Sequence, residues 1–184
     1  MNYKEIPLDV AYRLINHGPV VLVSSRLRNG VYDIAPVAWN CIISKDPTSL
    51  VVAISKANAT HDAIIFREEF AISIPCAAQE KIVKDTGAVS GADTEKFSNF
   101  DIKFIPGKKT DLKIPTGCTG YIECRLEAVY DMGGHSLLYG EAIYAAADPE
   151  GFSERVLPEN EKGKTLHHLG SNVFAVPSLS QPES

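Results

Sequence analysis

Two short stretches gather side chains able to hold an anion. In "ISKANATHDAIIF", Ser55, Lys56, Asn58 and Thr60 crowd the start of a segment with helical spacing, with Thr60 or Asn58 as its cap. Unpaired backbone N–H groups at a helix start, hydroxyls and an ammonium together suit a phosphate. The same residues also read as an ordinary helix cap beside a solvated lysine. In "GAVSGADTEKF", Ser90-Gly91 precedes a helix start placed at Asp93, with Lys96 one turn in. Taken alone, Lys96 reads as a surface charge. "DMGGHSLLYGEA" sets His135 just after a glycine turn, where a histidine serves either structure or proton exchange near neutral pH.

A fourth stretch, "YDIAPVAWN", carries the only tryptophan of the chain. Ala35-Pro36-Val37-Ala38 is a run of small residues that lets a backbone come close to a neighbour, and Trp39 stands at its end. A sole tryptophan in a core is the alternative reading. Other chemistries lack their residues. There is no nucleophile elbow, no Walker loop and no GxGxxG after a strand. The histidines are His17, His61, His135, His167 and His168, none in HExxH or HxH spacing. Adjacent His167 and His168 on a strand face opposite ways, so no metal site is expected.

These residues need a scaffold, and the pattern supplies strands. "VVLVSSRLRNGVYDIAPVAW" is two β-rich runs around Asn29-Gly30, a hairpin signal. "CIIS" and "SLVVAIS" flank Asp46-Pro47, and "FAISIP" is a further strand. "CTGYIECRLEAVYD" and "HSLLYGEAIYAAA" form a long hairpin across Met132-Gly133-Gly134. Its first arm places Ile122, Cys124, Leu126 and Ala128 on one face and Glu123, Arg125 and Glu127 on the other. "KTLHHLGSNVFAV" reads as one closing strand. Short helices are expected over 7–17, within 58–69, over 77–86 and from Asp93. Hairpin-linked strands with few helices imply a mainly β, antiparallel barrel.

The 184 residues suffice for one well-buried core, taken as a single domain over 1–176 with a frayed tail over 177–184. A net charge of −5, with basic residues scattered, argues against a nucleic-acid or anionic-membrane partner. Cys41, Cys76, Cys118 and Cys124 form no CxxC, the first residues lack the pattern of a signal peptide, and no stretch reaches the roughly 20 apolar residues of a membrane span. Reduced thiols in a cytoplasmic protein are the expectation.

Five motifs occur in order from residue 20 to 175: "VVLVSSR…G…IAPVAW", "THD" at a helix start, "VSGADTEKF", "GGHSLLYGEA" and "LHHLGSNVFA". In that combination the chain resembles the flavin reductase-like, FMN-binding split-barrel family, its flavoredoxin-type members most closely. The resemblance implies a six-stranded antiparallel split β-barrel of Greek-key type with a few short helices, a homodimer, and FMN near the subunit interface. It implies that Ala35, Pro36, Val37, Ala38, Trp39 and Asn40 lie along the isoalloxazine, with Trp39 as an aromatic wall. Thr60, Ser90, Gly91, Lys96, His135 and Phe174 match cofactor-binding positions, and Ser55 and Lys56 are phosphate contacts. Asp33 stands where the family often has Asn. Lys96 and His135 are the catalytic candidates, placing positive charge near the reduced flavin or relaying a proton. The implied activity is NADH- or NADPH-dependent flavin reduction, supplying a monooxygenase or redox partner protein. An electron carrier reduced by a protein partner, or a ligand-binding module without turnover, are the alternatives.

Overall fold

The computed structural model of the protein describes residues 7, 11–15 and 18–180. In chain order the strands are β1 (Val21–Arg26), β2 (Tyr32–Val37), β3 (Asn40–Lys45), β4 (Thr48–Ser55), β5 (Glu69–Ile74), β6 (Phe104–Pro106), β7 (Lys113–Pro115), β8 (Gly120–Met132), β9 (His135–Ala147), β10 (His167–Gly170) and β11 (Val173–Ala175). The α-helices are α1 (Ala59–Arg67), α2 (Glu80–Gly87) and α3 (Lys96–Asn99). Seven strands form one antiparallel sheet in the order β2-β1-β5-β8-β9-β4-β3, and β6-β7 and β10-β11 are small separate pairs.

The sheet must be rolled. β2 and β3 sit at its two ends, yet only Ala38 and Trp39 separate them in sequence. An extended chain advances at most about 3.6 Å per residue, so the two ends meet at this corner. The Trp39 carbonyl accepts a hydrogen bond from the Ala53 N–H of β4 at 2.9 Å, which carries the ladder through the corner. β2 and β3 do not pair with each other, so the barrel is split there. The expected six strands are seven because the run 32–45 breaks at this crossing from one edge to the other.

The roll encloses Val21, Val23, Val37, Leu50, Val52, Ile54, Ile64, Phe70, Ile72, Cys124 and Leu138. The outer side of β1 and β2 contributes Leu22 and Ile34 to a second cluster with Val83 of α2 and Phe97 of α3. β1 is therefore buried on both faces, which is why "VLVSS" shows no polar alternation. On β8, Arg125 and Glu127 are exposed as the alternation predicts, but Glu123 is fully buried. The loop 107–112 covers it. Its carboxylate accepts the N–H groups of Lys108, Lys109 and Thr110 and the Thr110 hydroxyl, at 2.7–2.8 Å.

Three expectations change. The helix expected from Asp93 starts at Lys96, because Asp93 and Thr94 are tied in a turn to the Ser90 carbonyl and Glu95 caps the helix by accepting from the Ser98 N–H. The closing strand is a hairpin instead, β10 and β11, reversed through left-handed backbone at Gly170 (φ 118°) and Ser171 (φ 51°). Within the segment 7–17, Tyr12–Leu14 is a single 3-10 turn; residues 8–10 and 16–17, His17 included, lie outside the described residues. So do residues 181–184 of the tail.

All four cysteines are free thiols, and only Cys41 is exposed. Burial pushes the thiols of Cys118 and Cys124 up to about 12, so neither supplies thiolate at neutral pH. A thiol reagent at pH 8 is expected to titrate one cysteine quickly in the native protein and four in denaturant. Cys41→Ser should remove the fast one; a second fast thiol in that variant would contradict the packing of β8 and the 118 loop.

Candidate functional site

Three adjoining hollows share Pro36 of β2. The first, about 370 Å³, lies between Ala35-Pro36, the N-terminus of α1 at Asn58–Thr60, the turn Gly87–Gly91, and Lys96. The second, about 260 Å³, runs past Val37, Ala38 and Trp39 to Ser55, His135 and His168. The third, about 230 Å³, is walled by Ala38, Val83, Lys84, Gly87, His168 and Phe174. Together they make a continuous groove along the small residues before the barrel corner.

The small residues have a local reason. A Cβ on Gly87 would stand 2.9 Å from the Pro36 ring, and one on Gly91 would stand 2.2 Å from a carboxylate oxygen of Asp33. Glycine at both positions lets the end of α2 and the turn after it close against β2, which forms one wall of the first hollow.

At its floor sits a buried charge pair. Asp33 is 1% exposed, and its Oδ1 lies 3.1 Å from Nζ of Lys96, itself 2% exposed. Lys96 also donates to the Ile34 carbonyl at 2.8 Å, and Thr60 Oγ1 donates to Asp33 Oδ2 at 2.7 Å. The surface reading of Lys96 is thus overturned: the late start of α3 turns its first residue inward onto β2. Because the one hydroxyl proton of Thr60 is committed to Asp33, Thr60 presents acceptor lone pairs to the hollow. Lys96 presents a donor beside it.

At the other end, the rings of Trp39 and His135 lie 5.3 Å apart at 43°. Trp39 is 43% exposed, so it is not a core residue. His135 enters this end because β9 pairs it with Ser55 of β4. Phe174 reaches the third hollow from β11, its ring 5.5 Å from that of His168.

Of the residues singled out in sequence, Ala35, Pro36, Val37, Ala38, Trp39, Ser55, Thr60, Ser90, Gly91, Lys96, His135 and Phe174 all line the groove. Asn40 does not; its amide donates to the carbonyls of Pro19 and Val37, bracing the corner. Lys56 does not either. Its ammonium pairs with Asp131 at 2.7 Å, which, with the Gly133 N–H, holds the Asp131 carboxyl below its ordinary range. Asn58 takes the cap position of α1 without a side-chain cap bond. Sequence reasoning missed Gly87, His168 and the part played by Asp33. A carboxylate set between apolar strand residues was the available sign for Asp33; nothing local marked His168. Among the described residues no cluster of three or more His, Cys, Asp or Glu could hold a metal ion.

Residues 13–169 match the sequence profile of the flavin reductase like domain. An uncharacterized protein of Escherichia coli K12, YddH, is 34% identical over 92% of this chain and 93% of its own. Among solved structures, an FMN-binding domain of a flavin reductases-like enzyme from Shewanella baltica OS155 superposes with a TM-score of 0.81 at 29% identity, covering 100% of this chain and 98% of that one. Flavoredoxin of Desulfovibrio vulgaris (Miyazaki F) gives a TM-score of 0.84 at 23% identity, covering 100% and 97%, which is a likeness of fold.

Close packing at the two glycines is testable without any ligand. Gly91→Ala should destabilise the protein in urea by about 1–3 kcal/mol, because the methyl group displaces Asp33. Gly134→Ala, with nothing within 4 Å of the added carbon, should change stability by no more than about 0.5 kcal/mol.

Proposed function

Because the chain belongs to the flavin reductase-like domain family, we propose that it binds FMN in the Pro36 groove and reduces it with NADH or NADPH. The groove itself carries this reading: small backbone-exposing residues between a polar end with Lys96 and Thr60 and an aromatic end with Trp39 and His135. The residues fit the group. A planar ring needs close backbone approach and an aromatic wall, which Ala35–Ala38 and Trp39 offer. Its carbonyls and imide N–H need a donor beside an acceptor, which Lys96 and Thr60 offer. The phosphate is assigned to Ser55 and the neighbouring N-terminus of α1, with Lys56 left to Asp131.

Bound FMN would supply an acceptor for two electrons and a proton, arriving together as a hydride from the nicotinamide. The protein's part is to orient the rings and exclude water. His135 is placed to pass a proton between the groove and solvent. Phe174 and His168 flank the space left for the nicotinamide. Reduced flavin would then serve a partner monooxygenase or redox protein. A cytoplasmic setting suits four free thiols. The outer face of β3, β4 and β9 exposes Trp39 and brings Cys41, Val51 and Tyr139 into register beside the Ala53–Leu137 pair, an apolar surface suited to a second copy. A homodimer, twice the 20.0 kDa chain mass by light scattering, is the expected assembly.

Anaerobic mixing of the FMN-loaded protein with NADH, then NADPH, should bleach the flavin with at least one of them. No bleaching with either would replace this reading with an electron carrier loaded by a protein partner. Titration of FMN into apo-protein should quench the Trp39 emission, saturating at about one FMN per chain. Trp39→Ala should lose about 1–3 kcal/mol of FMN binding and Trp39→Phe less. Since Trp39 is half-exposed, both variants should melt close to the parent; unchanged FMN affinity in Trp39→Ala would move the ring elsewhere.

A further inference from the structure

We propose that Asp33 is a positioning residue that fixes the Lys96 ammonium and cancels its charge at the groove floor, and so sets how strongly the site prefers reduced over oxidised FMN. This rests on the FMN reading above. Both side chains are more than nine-tenths buried, at 1% and 3% exposure. An ammonium has three donors. For Lys96, one goes to the Ile34 carbonyl, the ammonium stands in ion-pair contact with Asp33 Oδ1, and donor capacity remains for the hollow that Lys96 lines.

Asp33 Oδ1 has no hydrogen-bond partner among the described residues, its contact with Lys96 being an ion pair, and Gly91 closes over it with no room even for a methyl group. Oδ1 faces the Lys96 ammonium at 3.1 Å and Oδ2 accepts from the Thr60 hydroxyl, so the carboxylate charge acts chiefly on Lys96. Among the described residues Lys96 is the one charged side chain that lines the first hollow, with Asp33 directly behind it, so the pair dominates the local field. The neighbouring hollows add His135, His168 and Lys84, the last paired with Glu80 at 2.5 Å.

The sign follows from the electron count. Oxidised FMN takes up two electrons and one proton, so its reduced ring carries one more negative charge. A lone buried ammonium beside it would favour the reduced form strongly, while a neutralised one favours it little. An asparagine at position 33 would leave Lys96 uncompensated; the carboxylate keeps the flavin a stronger reductant.

The test compares dissociation constants for oxidised and dithionite-reduced FMN under anaerobic conditions, with no nicotinamide and no turnover. Asp33→Asn should raise the preference for reduced FMN by about tenfold, a positive shift of about 30 mV for a two-electron couple. Lys96→Met should shift it in the opposite direction, since it leaves the carboxylate alone. The double variant Asp33→Asn/Lys96→Met exchanges the ion pair for neutral groups, an exchange that buried pairs tolerate. Its preference should return to within about threefold of the parent by the same charge argument. If the double variant instead loses preference for reduced FMN as Lys96→Met does, Lys96 acts as a lone cation and the proposal is overturned. An unchanged preference in both Asp33→Asn and the double variant overturns it as well. A parent protein that binds neither form of FMN overturns the function proposed above, and this inference with it.

Discussion

Two residues, Ala38 and Trp39, join strands that lie at opposite ends of a seven-stranded sheet. Chain length alone then forces the sheet to roll, whatever the side chains prefer. The roll creates an inside for Val21, Val37, Leu50, Phe70 and Leu138, and it creates a corner. At the corner Trp39 keeps the ladder going by accepting from Ala53, while the Asn40 amide braces the preceding turn. Burial of the core holds the roll closed, but the short crossing determines where the split falls. The candidate site is a by-product of that split, because a rolled sheet whose ends do not pair leaves a groove beside its corner.

The groove is lined by backbone more than by side chains. Proline and alanine on β2 and glycines at 87 and 91 bring two chain segments together at distances that any Cβ would prevent. Such contacts exclude water without filling the space a planar ligand needs. Several polar groups enter where an element ends: Thr60 in the first turn of α1, Lys96 at the start of α3, His135 at the start of β9, with Ser90 in a turn. Those at element ends point from a rigid scaffold, and small changes in turn geometry would retune the site without disturbing the barrel.

Two buried carboxylates show different solutions to the same physical problem. Glu123 is held by three backbone N–H groups and one hydroxyl, all within 2.8 Å, so its charge is spread over a loop that it thereby anchors. Asp33 has one hydroxyl donor and one ammonium. Desolvating either charge costs several kcal/mol, on the order of what its partners return. Glu123 organises structure far from the groove. Asp33 instead passes its constraint to Lys96 and Thr60, two of the polar groups that line the first hollow, so its effect reaches whatever binds there.

Much of this was legible in the residue order. Alternation and turn residues place β1–β2, β3–β4 and the long β8–β9 hairpin, because strand pairing through tight turns is local. The motif order from 20 to 175 identifies the family and nearly all the groove residues. The inward turn of Lys96, the burial of Glu123 and the withdrawal of Asn40 and Lys56 were not legible. Each depends on a partner 13 or more residues away: Ile34 for Lys96, the 107–110 loop for Glu123, Pro19 for Asn40, Asp131 for Lys56. Local pattern reports which side of a strand or helix a residue takes. Only the tertiary packing decides whether that side meets water, a loop or a charge, since burial is a property of what lies across the gap.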